Sequence, residues 1–206
     1  MYAGHYVEQH PDRAAFVMAS TGVVVTHAEL EARANRLAHA LRDHGLVAGD
    51  HYSIFMENND RYLESCGAGE RAGLYYTCIN SYLTAEEVAY IVDNSDSQVL
   101  ITSPAKREVA LAAAKDCPKL TRILVVDEPG GADDDRVRDF VEATGGFPDT
   151  PIADEQLDTP MLYSSGTTGR PKGIARPLPV QPPGEMMPLF QFLTGLWHYR
   201  EDMIYL

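Results

Sequence analysis

Between Val24 and Val126, short runs of apolar and β-branched residues alternate with capped, amphipathic segments, and this alternation constrains the fold more than any other feature of the chain. A strand inside a parallel sheet is covered on both faces, so it reads as a nearly continuous apolar run. Tyr52–Met56, Leu74–Ile79, Val99–Thr102 and Arg122–Val126 have that character. The segments between them carry helical signals. Thr26 stands three residues before Glu29, a capping box in which each side chain satisfies a free N–H of the first turn. Leu30, Ala34, Leu37, Ala38 and Leu41 then recur on one face until Gly45, where a helix would end. Thr84 and Glu87 repeat the capping box ahead of Val88, Ile91 and Val92.

The same reading predicts helices over Asn59–Arg71, Ala105–Lys115 and around Val137–Ala143, and a last one beginning near Glu185, after the proline-dense run Pro177–Pro183. In the first of these, Gly67 and Gly69 each cost about 1 kcal/mol relative to alanine, so close packing or an irregular path is expected there. Ala14–Met18 and Gly22–Val25, with Ser20 and Thr21 between them, predict a hairpin, and Met161–Ser164 a further strand. Glu128–Asp135 and Thr144–Pro160 have the composition of loops. Strands alternating with helices predict an α/β fold, a largely parallel sheet with flanking helices, built as one unit without internal repeats.

Charge removes one class of function. Seventeen basic residues against thirty acidic ones give a formal charge of -13, which repels phosphate backbones in the absence of a basic stripe, so no nucleic-acid partner is expected. Cys66, Cys78 and Cys117 are odd in number, widely spaced and free of any C-x-x-C pairing. They suggest small buried side chains in a reducing cytoplasm, with no cationic cluster to activate a thiol. No run approaches the roughly 18 consecutive apolar residues of a transmembrane segment, and the first twelve residues lack a signal-peptide core. The seven histidines show no metal-binding spacing, and Asp133–Asp135 suits a solvated turn better than a calcium loop. Tyr75, Tyr76 and Trp197 are expected as core or interface aromatics.

Chemistry concentrates in one segment. Tyr163-Ser164-Ser165-Gly166-Thr167-Thr168-Gly169-Arg170-Pro171-Lys172-Gly173 brings four serine and threonine hydroxyls, three glycines and a lysine into eleven residues behind a strand. Glycines let a backbone approach an anion closely, successive N–H groups can share a concavity, and lysine adds a mobile positive charge, a combination suited to phosphate. By composition alone such a stretch is more often only a flexible connection. Against the P-loop pattern G-x-x-x-x-G-K-[ST], Lys172 falls in place, but Pro171 replaces a glycine and Gly173 the magnesium-binding hydroxyl.

The eleven residues resemble the signature loop of the adenylate-forming superfamily, which includes acyl-CoA synthetases, luciferases and peptide-synthetase adenylation domains. Val25–Leu30, Arg33–Ala38, Gly49-Asp50, Asn80, Leu83–Glu87 and Asn94-Ser95 resemble the same family's N-terminal region, so the likeness spans nearly the whole chain. The run Gly173–Pro179 looks closest to fatty-acid-type CoA ligases, although its prolines delay the next helix. The resemblance implies ATP-dependent activation of a fatty or related carboxylic acid as acyl-adenylate, then transfer to coenzyme A. It assigns Ser164, Ser165, Gly166, Thr167, Thr168, Gly169 and Lys172 to the phosphates of ATP, Lys172 and Thr167 to catalysis, and Thr167 also to Mg2+. It further implies that residues 1–206 are an incomplete N-terminal AMP-binding domain, with phosphate loop 163–173 and the C-terminal domain absent. Such a fragment would be inactive alone and prone to self-association through a strand edge left open near Tyr205. A P-loop-like phosphotransferase and a non-catalytic interaction module that kept the fold are the competing readings.

Overall fold

The computed structural model describes residues 2–127, 134–164, 170–200 and 203–204. A short helix α1 (Gly4–Val7) precedes the hairpin β1 (Ala14–Val17) and β2 (Val24–Thr26), followed by α2 (His27–Asp43). Then come β3 (His51–Phe55), α3 (Tyr62–Ala72), β4 (Tyr75–Cys78), α4 (Ala85–Asn94), β5 (Ser97–Thr102), α5 (Arg107–Ala113) and β6 (Arg122–Val125), with single 3-10 turns on either side of α5. The chain continues through β7 (Val137–Asp139), α6 (Phe140–Gly145), β8 (Leu162–Ser164), β9 (Lys172–Ile174) and α7 (Pro188–Trp197).

Five strands form one parallel sheet in the order β4-β3-β5-β6-β7. Because successive side chains of a strand point to opposite faces, its apolar runs divide into two cores. Tyr52, Ile54, Val99, Ile101 and Leu124 pack with Leu37, Leu41, Ala68, Ala72 and Phe140 of α2, α3 and α6. Phe55, Leu100, Ile123 and Val125 pack with Val88, Ile91, Val92, Ala110 and Ala113 of α4 and α5. The result is a sheet between two helical layers, as the alternation predicts.

Both capping boxes form with both hydrogen bonds present, at Thr26/Glu29 and Thr84/Glu87. The glycines of α3 serve close packing. A Cβ at Gly69 would lie 2.6 Å from the Tyr52 hydroxyl oxygen and 2.9 Å from Asp158 Oδ2. Tyr52 uses this approach: its hydroxyl accepts from the Gly69 amide at 2.9 Å and donates to the Ser65 carbonyl at 2.5 Å.

Four expectations are corrected. Val137–Ala143 is not one helix: Val137, Arg138 and Asp139 extend the sheet beside Ile123–Val125, and Asp139 caps α6 by accepting from the Glu142 amide. Local pattern favoured a helix, but the free edge of β6 captured the first three residues. Of the strand expected at the C-terminus, Met203 and Ile204 are not in a ladder, and Tyr205 lies outside the described residues. Cys117 is buried as expected, whereas Cys66 is half-buried and Cys78 exposed. Trp197, at 63% exposure, is not a core aromatic among the described residues. Of the aspartate run, Asp133 lies outside the described residues and Asp134 is engaged by Arg136 at 2.8 Å.

One buried carboxyl should make stability depend on pH. Glu64 on α3 is almost fully buried, and burial pushes its pKa up to about 7 although Arg61 and Arg33, its ion-pair partners at 3.6 and 3.7 Å, pull it down. The folded chain keeps this proton up to about pH 7, while the unfolded chain releases it near the ordinary value of 4.5. Stability therefore falls as pH rises between those values, and the full penalty is present above them. Glu64→Gln is expected to raise stability by roughly 1–3 kcal/mol at about pH 8 and to change little at about pH 4, as read by urea denaturation. A variant less stable than the parent at alkaline pH would contradict this.

Candidate functional site

The segment rich in hydroxyls, glycine and lysine is carried on an antiparallel hairpin beside the edge of the main sheet. Leu162 pairs with Ile174, Tyr163 with Gly173 and Ser164 with Lys172. Ser164 and Lys172 are therefore the last ladder pair of this hairpin, and both are exposed. Of the residues assigned to phosphate, Ser165, Gly166, Thr167, Thr168 and Gly169 lie outside the described residues. So does the candidate magnesium ligand, Thr167.

The alternation of a strand explains how the hairpin is seated. Tyr163 and Gly173 turn toward the body of the protein, so the Ser164 and Lys172 side chains turn the other way. The Tyr163 hydroxyl donates to Asn94 Oδ1 at the end of α4, at 2.8 Å. Burial, then the neighbouring Tyr90 and Asp96, push the Tyr163 phenol up to about 12, so it remains a neutral donor. A Cβ at Gly173 would come within 2.4 Å of Met161 Cε and 2.9 Å of the Tyr163 ring. The hydroxyl that a P-loop carries after its lysine has no room in this packing.

Three further contacts fix the returning strand. Tyr90 of α4 donates to the Pro171 carbonyl at 3.0 Å, and the Arg170 guanidinium lies 5.2 Å above the Tyr90 ring. Tyr75 of β4 donates to the Arg176 carbonyl. On the incoming side, the Met161 amide donates to the Tyr76 carbonyl at 2.9 Å, tying the hairpin to β4. Sequence reasoning did not find Tyr90 or the role of Tyr75. The signal available was modest: Tyr90 is an aromatic set off the apolar stripe of Val88, Ile91 and Val92.

Among the described residues no carboxylate forms an ion pair with Lys172, which leaves an exposed ammonium beside an exposed hydroxyl. That donor set fits a polyphosphate, because charge-assisted hydrogen bonds from lysine and hydroxyl suit its oxygens. The geometry also differs from a P-loop, in which a strand leads through the loop into a helix. Here the strand before the segment pairs with an antiparallel strand that includes the lysine itself.

A parallel sheet between helical layers, with an antiparallel hairpin at its β4 edge that flanks the serine-, threonine- and glycine-rich segment, defines the class of α/β protein. The chain belongs to the AMP-binding enzyme family, which it matches over residues 4–177. It is 33% identical over 181 residues to the 3-oxocholest-4-en-26-oate–CoA ligase of Rhodococcus rhodochrous, covering 82% of this chain and 31% of that protein. It is also 33% identical over 152 residues to the feruloyl-CoA synthase of an Amycolatopsis species, covering 74% and 28%. Its fold resembles the crystal structure of an anthranilate CoA ligase in complex with anthranoyl-AMP, with a TM-score of 0.73 at 23% identity, covering 84% of this chain and 33% of that one. The chain thus spans about a third of the length of the relatives it matches.

Proposed function

We propose that this chain supplies the phosphate-binding segment of an ATP-dependent acid–thiol ligase acting on a fatty or related carboxylic acid, with coenzyme A as acceptor. The observation that carries the reading is the Ser164–Lys172 pair, exposed where the hairpin opens into the loop. The names of the relatives support it, being CoA ligases for a steroid acid and for an aromatic acid.

The chemistry explains why such a loop is needed. A carboxylate is a poor electrophile; when its oxygen attacks the α-phosphorus of ATP, the bond to the β-phosphate oxygen breaks and pyrophosphate leaves. A thiol then attacks the acyl carbon and AMP departs. Negative charge accumulates on the pyrophosphate during the first step, and donors already in place stabilise it without reorganisation. Lys172 and Ser164 would supply such donors with Ser165, Gly166, Thr167, Thr168 and Gly169, and the Thr167 hydroxyl would face Mg2+. A cytoplasmic location is part of the same reading; no helix among the described residues is long and apolar enough to cross a membrane.

We further infer that residues 1–206, taken alone, bind ATP without completing adenylation. Calorimetric titration with Mg-ATP tests the first part: heat of binding is expected, and its absence at millimolar nucleotide would sink the reading. Carboxylate-dependent ATP–pyrophosphate exchange, run with acids from acetate to long-chain fatty acids, tests the second. Silence is expected; exchange would show that the chain adenylates unaided.

A further inference from the structure

We propose that Cys66 and Cys78 are a reversible dithiol–disulfide pair, a modification site that closes when the chain meets a low-molecular-weight disulfide. Their sulfurs lie 3.8 Å apart, although the residues are 12 apart in sequence and belong to different elements, α3 and β4. A disulfide needs about 2.05 Å between sulfurs, so closure brings the two roughly 1.8 Å nearer. The reactants are also accessible: Cys78, the last residue of β4, is exposed and Cys66 is half-buried.

The surroundings make the two thiols unequal. Cys78 receives hydrogen bonds from the Cys66 thiol and from Tyr62, which outweigh desolvation by the protein packed around this exposed residue and hold it down to about 7. Cys66 is pushed up, first by its hydrogen bond to Cys78, then by burial, Cys78 itself, Glu70 and Asp158. A thiolate is the attacking species in thiol–disulfide exchange. Cys78 therefore attacks first: its sulfur bonds to one sulfur of the small disulfide, the S–S bond breaks and one small thiolate leaves. Cys66 then gives up its proton, its sulfur attacks Cys78 Sγ, and the second small thiolate departs. In total the two cysteine thiols are oxidised by two electrons, and the small disulfide is reduced to two thiols, which take up the two protons. Sequence reasoning sought cations near each cysteine and found none; here a second thiol and a phenol do that work, and only the tertiary fold brings them together.

The pair sits where it can act on the hairpin. Tyr76, two residues before Cys78, accepts the Met161 amide, and Tyr75 donates to Arg176. A bond between Cys78 and α3 therefore fixes the strand that holds both ends of the loop-bearing hairpin. Cys117 is a spectator, buried with its thiol directed at the Ala113 and Ala89 carbonyls at 3.3 and 3.5 Å.

The test is incubation of the 206-residue chain with oxidised glutathione, acid quenching, alkylation and peptide mapping. Cys66 and Cys78 are expected to lose alkylation together, the intact mass to fall by two hydrogens, and dithiothreitol to restore both thiols. In Cys66→Ser, glutathione is expected to remain on Cys78 as a mixed disulfide. Three outcomes would overturn the proposal: both thiols still alkylated, a lasting glutathione adduct on Cys78 in the unaltered chain with Cys66 free, or a bond joining two chains. None of them bears on whether the chain binds ATP, since the readout is the thiols alone.

Discussion

Lys172→Ala is expected to weaken Mg-ATP binding about ten- to hundredfold while leaving the fold intact. A charge-assisted hydrogen bond contributes roughly 1.5–3 kcal/mol, and each 1.4 kcal/mol is about a factor of ten in affinity. Lys172 holds its place in the hairpin through backbone pairing with Ser164, and its side chain is exposed, so truncation removes a charge without opening a cavity. Titration calorimetry measures the loss, and thermal denaturation of the same variant checks that folding is unaffected. Lys172→Arg should retain part of the affinity, because the charge stays while the geometry of donation changes. Binding should also weaken with added salt, since the site is exposed and its attraction is screened. An affinity unchanged in Lys172→Ala would remove the phosphate-binding role and favour a non-catalytic interaction module. The calorimetric comparison separates the two readings because that module has no use for an ammonium at the loop.

Arg71→Met is expected to cost about 3–5 kcal/mol of stability, a large share of the roughly 5–15 kcal/mol that holds a typical domain together. Arg71 is 1% exposed and lies in the interface between α3 and α2. Its Nη1 donates to Glu31 Oε1 at 2.6 Å and to Asn35 Oδ1, its Nη2 to Glu31 Oε2 at 2.9 Å, and its Nε to the Gly67 carbonyl at 3.0 Å. The Tyr2 ring covers the guanidinium at 5.1 Å. Removing the arginine strands the Glu31 carboxylate in a buried site, and that desolvated charge is the main source of the cost. Arg71→Met with Glu31→Leu should therefore recover much of the loss, because replacing both members of a buried pair by apolar groups is often close to neutral. Urea denaturation of both single variants and the double variant measures the coupling. If the single change costs less than about 1 kcal/mol, the pair behaves like a surface ion pair and the buried network is not what joins the two helices.

Most of the body was legible in the sequence because its signals are local. The capping boxes at Thr26/Glu29 and Thr84/Glu87 form as spelled, since cap and partner are three residues apart and need no other element. The apolar runs became the sheet, since only helices on both faces can cover them. The order Tyr163–Gly173 identified the loop, and the antiparallel strands around it were half visible as the run Met161–Ser164. What the sequence could not decide is pairing at a distance. Val137–Asp139 became an edge strand because β6 offered unpaired backbone groups, a competition that no local pattern records. The Arg71–Glu31 pair, the Tyr90 and Tyr75 contacts that seat the hairpin, and the approach of Cys66 to Cys78 all join residues from separate elements. Hydrogen bonds and thiol chemistry act over a few ångströms in space. Composition and periodicity determined most of the elements this chain makes, and residue order pointed to the segment proposed to carry its chemistry; only the tertiary packing decided which side chains come close enough to act.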